Sequence, residues 1–393
     1  MSKKCRIAVI GVGQRGYAYV NMLKNHNDVE LSALCDTSRE RLECFAAELD
    51  CKDIPLFYSV DELLQYGMFD AVIVTTPDFT HKECAVKAFA SGKHVMLEKP
   101  MAPTAAECRE IIAAAQKSGK QLQIGFVLRH HPVFQGVMKE LEKGTIGQLL
   151  SINCSESIGV MHGASYMRRW HRKSANSGGF LLAKCSHDLD LMSDFAGALP
   201  VKVSSFGGTD FFTPDKQKAA FCSECSEKEC RFRFRGEMVR MTPEEKAVPK
   251  EKSFDLCVFN SDKDVVDNQQ VILEYANKVR GTFSLNLFAP AAKREWRLIG
   301  SCGYIDADTS ARKYTVSFSD GRESRTVDCP VTNDSGHDGS DMLFLNNFIN
   351  GILDGKPLSA EARTGLYSTV IGNAIEKARL SGTVITIEPE EYQ

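Results

Sequence analysis

Arg6-Ile-Ala-Val-Ile10-Gly11-Val-Gly13-Gln14-Arg15-Gly16 decides the fold, because an apolar run passes directly into three closely spaced glycines and a helical stretch, Tyr17 to Lys24, follows. Gly11 permits a tight turn, Gly13 lets the main chain approach a pyrophosphate, and Gly16 lets the helix pack close to the strand. The free N–H groups where the helix starts, at Gln14 and Arg15, then face an anion. The next apolar run, Leu31-Ser-Ala-Leu-Cys-Asp36, ends on a carboxylate about twenty residues after the last glycine, where it accepts hydrogen bonds from ribose hydroxyls. Strand, turn, helix, strand and acid in this order point to a dinucleotide. Asp36 repels a ribose phosphate and so favours NAD, while Arg39 and Arg41 follow closely enough to tolerate NADP.

A chain of 393 residues has room for two cores, and its 43% hydrophobic and 25% charged content are those of an ordinary globular protein. A formal net charge of −3 offers no field for nucleic acid or an anionic membrane, so neither is an expected partner. No apolar run spans a bilayer, and Met1-Ser-Lys-Lys-Cys5 precedes the first strand without a signal peptide, which gives a cytoplasmic reading. Most of the 14 cysteines, such as Cys35, Cys84 and Cys154, sit within apolar runs and behave as small buried hydrophobes.

Outward from the glycine turn, strands at Leu56 to Ser59, Ala71 to Thr75, His94 to Leu97 and Gln121 to Phe126 alternate with helices at Ser38 to Leu49, His81 to Ala90 and Ala105 to Ser118. This alternation predicts a parallel α/β sheet with helices on both faces, a Rossmann dinucleotide-binding domain over 1–128. From 129 to 393 the pattern changes. Helices at Val133 to Lys143 and Gly179 to Ala196, strands at Leu149 to Cys154, Val201 to Phe206, Asn268 to Tyr275, Val279 to Leu287, Glu295 to Ile299 and Tyr314 to Ser319, and closing helices at Met342 to Leu353 and Glu361 to Ser381 predict an α+β domain with a mostly antiparallel open sheet. Residues 208–256 form a polar, cysteine-rich insertion.

Ligands of open parallel sheets sit outside the carboxyl ends of the strands, so Thr75-Thr76-Pro77 with His81, and Glu98-Lys99-Pro100, are expected to border the cofactor. A lysine at a strand end beside a nicotinamide can favour deprotonation of a substrate hydroxyl; the alternative is a surface lysine before a proline turn. In Gly178-Gly-Phe-Leu-Leu-Ala-Lys184-Cys-Ser-His187-Asp188-Leu-Asp190, Lys184, His187 and Asp190 recur every third residue and Asp188 lies one turn from Lys184, so helical spacing lets several of them face one cleft. A neutral imidazole there suits the proton lost when an alcohol gives up hydride, against the alternative of a capping or packing histidine.

These elements together resemble the Gfo/Idh/MocA family of glucose-fructose oxidoreductase and inositol dehydrogenase. The resemblance rests on the glycine turn, Val74-Thr-Thr-Pro77 to His81, Glu98-Lys99-Pro100, Gly125 to Arg129 with Pro132, the Gly-Gly helix with His187 and Asp190, and the closing helices. It implies that Lys99 and His187 flank the reacting carbon of an NAD(P)-dependent dehydrogenase acting on a sugar, glycoside or polyol. It also implies a homodimer or homotetramer. One position departs: the family usually carries Asp four residues before the histidine, and here that residue is Ala183. Arg168-Arg169-Trp170-His-Arg172 looks like the branch that oxidises sugar rings within glycosides, some of whose members retain NAD through turnover so that the keto sugar can be cleaved. Trp170 is then expected to stack on a pyranose, with His162, Tyr166, Arg168, Arg169 and Lys184 bonding hydroxyls and Arg129 and Asn176 as secondary candidates. The rival class is a binding protein that senses NAD without turnover.

Within the insertion, Cys222-Ser-Glu-Cys225 is followed by Cys230. Closely spaced thiols in a reducing compartment point to a structural zinc with a fourth ligand from elsewhere, to an iron–sulfur cluster, or to free thiols. Arg231-Phe-Arg-Phe-Arg235 alternates charge and ring, which predicts a half-buried strand.

Overall fold

The computed structural model describes residues 4–236, 241–242, 246, 254–259, 262–331 and 333–393. Its first sheet holds β1 (Cys5–Ile10), β2 (Val29–Cys35), β3 (Leu56–Phe57), β4 (Ala71–Val74), β5 (His94–Leu97) and β6 (Leu122–Ile124). All pair in parallel in the order β3-β2-β1-β4-β5-β6. Burial of both faces explains the unbroken apolar runs of β1 and β4. Three of the connecting helices begin at a side-chain cap, Ser38, Ser59 or Thr104. Thr104 Oγ1 accepts from Glu107 N ahead of Ala105–Ser118, and Gly119 ends that helix at φ 65°.

The second sheet contains β7 (Leu149–Gly159), β8 (Pro200–Gly208), β9 (Asn268–Tyr275), β10 (Arg280–Ala289), β11 (Lys293–Gly300), β12 (Gly303–Asp308), β13 (Lys313–Phe318), β14 (Arg325–Asp328) and β15 (Ile385–Thr386). Its order is β14-β13-β12-β11-β7-β10-β9-β8-β15, antiparallel throughout except for β7 beside β10. The helix Phe180–Ala196 lies between this sheet and the helix Ala362–Ser381, so it is buried nearly all round. Its entry turn needs two glycines, since Gly178 and Gly179 have φ of 70° and 98°. The other face of the sheet is open and carries Phe206, Ile272 and Tyr304, all exposed. No helix of the described residues is long and apolar enough to cross a membrane.

Two elements run against their local sequence signal. Val160–Arg168 is a helix although Gly163 interrupts it; a Cβ there would lie 2.0 Å from the Leu287 carbonyl oxygen, so the glycine serves close packing on β10 rather than a turn. β12 is a strand in which Ile305 and Ala307 alternate inward while Asp306 and Asp308 face out. Arg231 to Arg235, by contrast, is not a strand. Phe232 is buried against Phe211, Phe212 and Phe259, with ring centroids 5.7, 5.1 and 5.5 Å away, and Arg231 lies over the Phe211 and Phe232 rings.

The insertion therefore has a small aromatic core of its own. Arg168 Nη2 donates to the Phe232 carbonyl at 2.6 Å, Cys222 N to Asp255 O at 2.8 Å and Cys257 N to Ala220 O at 2.9 Å. Cys222, Cys225 and Cys230 are partly buried free thiols. Among the described residues no three His, Cys, Asp or Glu side chains form a group that could hold a metal ion.

Phe232→Ala is expected to raise the rate of limited proteolysis within 208–256 by severalfold, because truncating a buried ring removes on the order of 3–5 kcal/mol of local packing. A chelator is expected to leave that rate unchanged; the opposite pattern would restore a metal to this loop.

Candidate functional site

The ends of β1, β2 and β4 meet at the glycine turn. Gly11 holds φ 94°, and a Cβ there would stand 2.9 Å from the Thr75 backbone; at Gly16 it would lie 2.1 Å from the Gly11 carbonyl oxygen. Gly13 instead faces open space, with nothing within 4 Å of a Cβ position, and no side chain caps the helix Gln14–Lys24. Asp36 closes the turn: its Oδ2 accepts from Val12 N at 3.0 Å and its Oδ1 from Ser38 N at 2.9 Å. Thr75 Oγ1 donates to the Gly11 carbonyl at 2.6 Å. An open cradle, an uncapped helix N-terminus and a carboxylate at the second strand end fit a dinucleotide.

Beyond Thr76 and Pro77, Thr80 Oγ1 donates to the Pro77 carbonyl at 2.7 Å and lies 2.8 Å from Thr76 Oγ1. His81 is buried, with Nδ1 2.9 Å from the Pro100 carbonyl oxygen and Nε2 3.0 Å from that of Thr76. It thus links the two segments after β4 and β5. Glu98 and Arg15 are joined at 2.7 Å, and Arg15 also meets Asp341 at 2.7 Å and the Tyr19 hydroxyl at 2.9 Å.

Lys99 stands at the end of β5 and crosses to the second sheet's helix, its Nζ donating to the Ala183 carbonyl at 2.7 Å. Burial first, then the nearby Lys184 ammonium, push it down to about 8, against the pull of Asp78 and Glu98. His187, only 6% exposed, lies on the same helix edge-on to Phe126 at 5.8 Å. Burial, then Lys99, hold it well below the ordinary histidine range, so it stands as a neutral imidazole. Its Nδ1 is buried with no hydrogen-bond partner among the described residues, consistent with Ala183 standing where an orienting acid would be. Asp78, buried opposite, is pushed well above the carboxylate range by desolvation.

Around this pair the helix Val160–Arg168 and the turn after it build an aromatic and basic wall. Tyr166 packs 5.3 Å from His162, 4.3 Å from His171 and 4.9 Å from Phe180 by ring centroids. Trp170 stacks on His171 at 3.6 Å and reaches Phe79 of the first sheet's side at 5.9 Å. Burial, then Lys184 and Lys99, push His162 down to about 3. Arg169 makes no ion pair among the described residues, and Lys184 is 3.7 Å from Glu156.

Other expected site residues point elsewhere. Asp188 is 0% exposed and bonds Arg294 at 2.6 and 3.1 Å on the face turned to β7, away from Lys99. Arg129 is spent on Asp190, at 2.7 and 2.8 Å, with Asp194 at 3.3 Å. Arg168 is buried under the insertion, and Arg172 is tied to Asp262 at 2.6 Å. Asn176 Nδ2 donates to the Trp170 carbonyl at 3.4 Å, bracing that turn. Sequence reasoning passed over Asp78, His171 and His337. Asp78 directly follows the strand-end Thr75-Thr-Pro77, a signal that was available, whereas nothing local marks His337, whose ring centroid is 6.3 Å from that of His187.

Residues 5–126 match the oxidoreductase family, NAD-binding Rossmann fold, and residues 138–387 match the oxidoreductase family, C-terminal alpha/beta domain, both of Gfo/Idh/MocA. The chain belongs to this family. Among curated relatives, YteT of Bacillus subtilis (strain 168) is 25% identical over 378 residues, 88% of each chain. The 2,7-anhydro-N-acetylneuraminate hydratase of Escherichia coli (strain K12) is 30% identical over 200 residues, 51% of this chain and 52% of that one. Among solved structures, myo-inositol 2-dehydrogenase of Lactobacillus plantarum superposes with a TM-score of 0.73 at 19% identity, covering 98% of this chain and 100% of the other, which shows a shared fold.

Asp36→Ser is expected to shift preference from NAD toward NADP by about tenfold or more, since it removes the carboxylate that repels a ribose phosphate. Titration of both cofactors checks it, and an unmodified protein that prefers NADP would count against Asp36 as the ribose ligand. Gly13→Ala is expected to weaken NAD without loss of Tm, because only the open side of the turn is filled.

Proposed function

We propose that the protein oxidises a hydroxyl of a sugar, glycoside or polyol, or reduces the matching ketone, in the cleft between its two sheets. The observation that carries this reading is the meeting of Lys99 and His187 across that cleft, one from each half of the chain, beneath the wall of Tyr166, Trp170, His162 and Lys184. NAD, when bound, supplies the hydride acceptor or donor. Gly11, Gly13, Gln14, Gly16 and Asp36 would hold its pyrophosphate and ribose, and Thr75, Thr76 and Pro77 would border the nicotinamide end.

Within that frame the chain's own groups divide the work. Lys99, charged below about 8, donates to the substrate oxygen and stabilises it as its proton leaves. Neutral His187 takes that proton. Trp170 offers a ring face to a pyranose, and Arg169, Lys184, His162 and Tyr166 supply donors and acceptors for hydroxyls. Relatives named for action on an anhydro sugar, on inositols and on aldoses support a polyhydroxylated ring as substrate. The exposed Phe206, Ile272 and Tyr304 on the open sheet support assembly of copies through that face, as a dimer or tetramer.

Nicotinamide absorbance with a panel of sugars, polyols and glycosides tests the reading. Steady reduction of added NAD is the expected result. Conversion of a glycoside without net reduction identifies an enzyme that retains its cofactor, and NAD binding with no conversion of any kind identifies a sensor and overturns the reading.

Lys99→Met and His187→Ala are each expected to lower turnover by about a hundredfold or more with NAD binding retained. The lysine also makes a thermodynamic prediction. Its folded pKa, about 8, lies below the unfolded value of about 10.4. The charged lysine therefore opposes folding at and below neutral pH, and stability recovers as pH rises from about 8 toward the unfolded value. Lys99→Met is accordingly expected to melt above the parent at pH 7, in the absence of cofactor, while losing turnover. The wild-type rate is expected to fall as pH rises through about 8; a profile flat across that range would remove Lys99 from the mechanism.

A further inference from the structure

A base as enclosed as His187 needs a way to pass its proton on, and the residue beside it is exposed. The His337 side chain is 40% accessible and its ring lies 6.3 Å from that of His187, with the planes at 57°. His337 Nδ1 lies 2.8 Å from Oδ1 of Asp341, a carboxylate that is itself 1% exposed. Burial acts to raise that carboxyl, but the hydrogen bond from His337 and the charge of Arg15 outweigh it and hold it below the ordinary range. A carboxylate so held accepts only, which puts the hydrogen of His337 on Nδ1 and leaves Nε2 as a free acceptor.

The backbone here is unusual as well. His337, Asp338 and Gly339 have φ of 53°, 55° and 89°, three successive left-handed residues of which only one is glycine. The turn is fixed from several sides. Ser340 Oγ donates to the His337 carbonyl at 2.6 Å, Asp341 N to the Gly336 carbonyl at 3.2 Å, and Asp338 is held by Arg312 at 3.0 Å and His131 at 3.2 Å. A non-glycine residue kept in this region by its surroundings marks a position where orientation matters. The charged and titratable groups around the ring are Asp338 and Asp341 of its own turn, His187 from the buried helix and His131 from the segment ahead of Pro132–Glu142.

We infer that His337, oriented by Asp341, is the imidazole that carries to solvent the proton His187 takes from the substrate hydroxyl, and that it returns one when a ketone is reduced. This rests on the hydride-transfer reading above. In the oxidation the C–H bond breaks with its electron pair passing to the nicotinamide, and the O–H proton passes to His187. The resulting imidazolium then gives up an N–H proton to His337 Nε2, on the ring whose centroid lies 6.3 Å from its own, and His337 releases it to solvent.

His337→Asn tests the relay, since asparagine tolerates a left-handed φ and can still donate to Asp341 but cannot carry a proton. The expected result is a fall in kcat of about tenfold or more with KM and NAD affinity within about twofold of the parent, and recovery of the lost rate as imidazole is added. The parent should be indifferent to imidazole. If the asparagine variant does not fold, His337→Gly, which the same φ accepts, leaves space for added imidazole and gives the same comparison. A kcat close to that of the parent, a loss confined to KM, or a loss that imidazole does not repair would overturn the relay while leaving the hydride-transfer reading standing. A parent that moves no hydride with any substrate of the panel overturns both.

Discussion

One half-buried guanidinium ties together the parts on which the site depends. Arg15, in the first turn of the helix after the glycines, bonds Glu98 at the end of β5 and Asp341 at the start of the helix Ser340–Asp354, with the Tyr19 hydroxyl as a third partner. Glu98 adjoins Lys99, and its Oε2 accepts from Lys99 N at 3.1 Å. Asp341 in turn orients His337. Two segments far apart in the chain are thereby fixed relative to the glycine turn, and removing the guanidinium would strand the Glu98 and Asp341 carboxylates, which are 9% and 1% exposed. The sequence places Arg15 at the cofactor turn, and its side chain there bonds Glu98 and Asp341.

A second constraint comes from the way the helix Phe180–Ala196 distributes its polar groups. His187 and Lys184 turn toward the cleft, Asp188 turns to Arg294, and Asp190 turns to Arg129. Every acid on the inner part of this helix has a guanidinium partner. Desolvation still pushes Asp190 up to about 6 despite Arg129. The histidine alone has no such partner, and this frees it to change protonation state.

Much of this was legible locally. The strands and helices of the first sheet follow from apolar runs, caps and glycines within a few residues of each other, and the helices His81–Ala90 and Ala105–Ser118 fall where periodicity put them. The positions of Lys99 after β5 and of His187 on the helix Phe180–Ala196 were legible because strand ends and helical runs can be read locally. What escaped depends on partners remote in sequence. Nothing near Asp188 announces Arg294, 106 positions away, and helical spacing alone let Asp188 share a cleft it turns from. The insertion read as polar because its phenylalanines, Phe211, Phe212, Phe232 and Phe259, are dispersed and meet only in three dimensions.

The helix Ala362–Ser381 packs on Ala105–Ser118 as well as on the buried helix of the second sheet. Just ahead of it, the Ala360 carbonyl accepts from Ile124 N at 3.0 Å and Glu361 bridges Gln123, so this late segment covers the open side of β6. An uncovered strand edge is a template for unwanted pairing. During synthesis the nucleotide-binding half therefore emerges long before the segment that seals it, and its edge stays bare until Ala360 and Glu361 have been made. Folding of the first half is coupled to completion of the last, and a fragment ending after β6 would present that edge to its own copies.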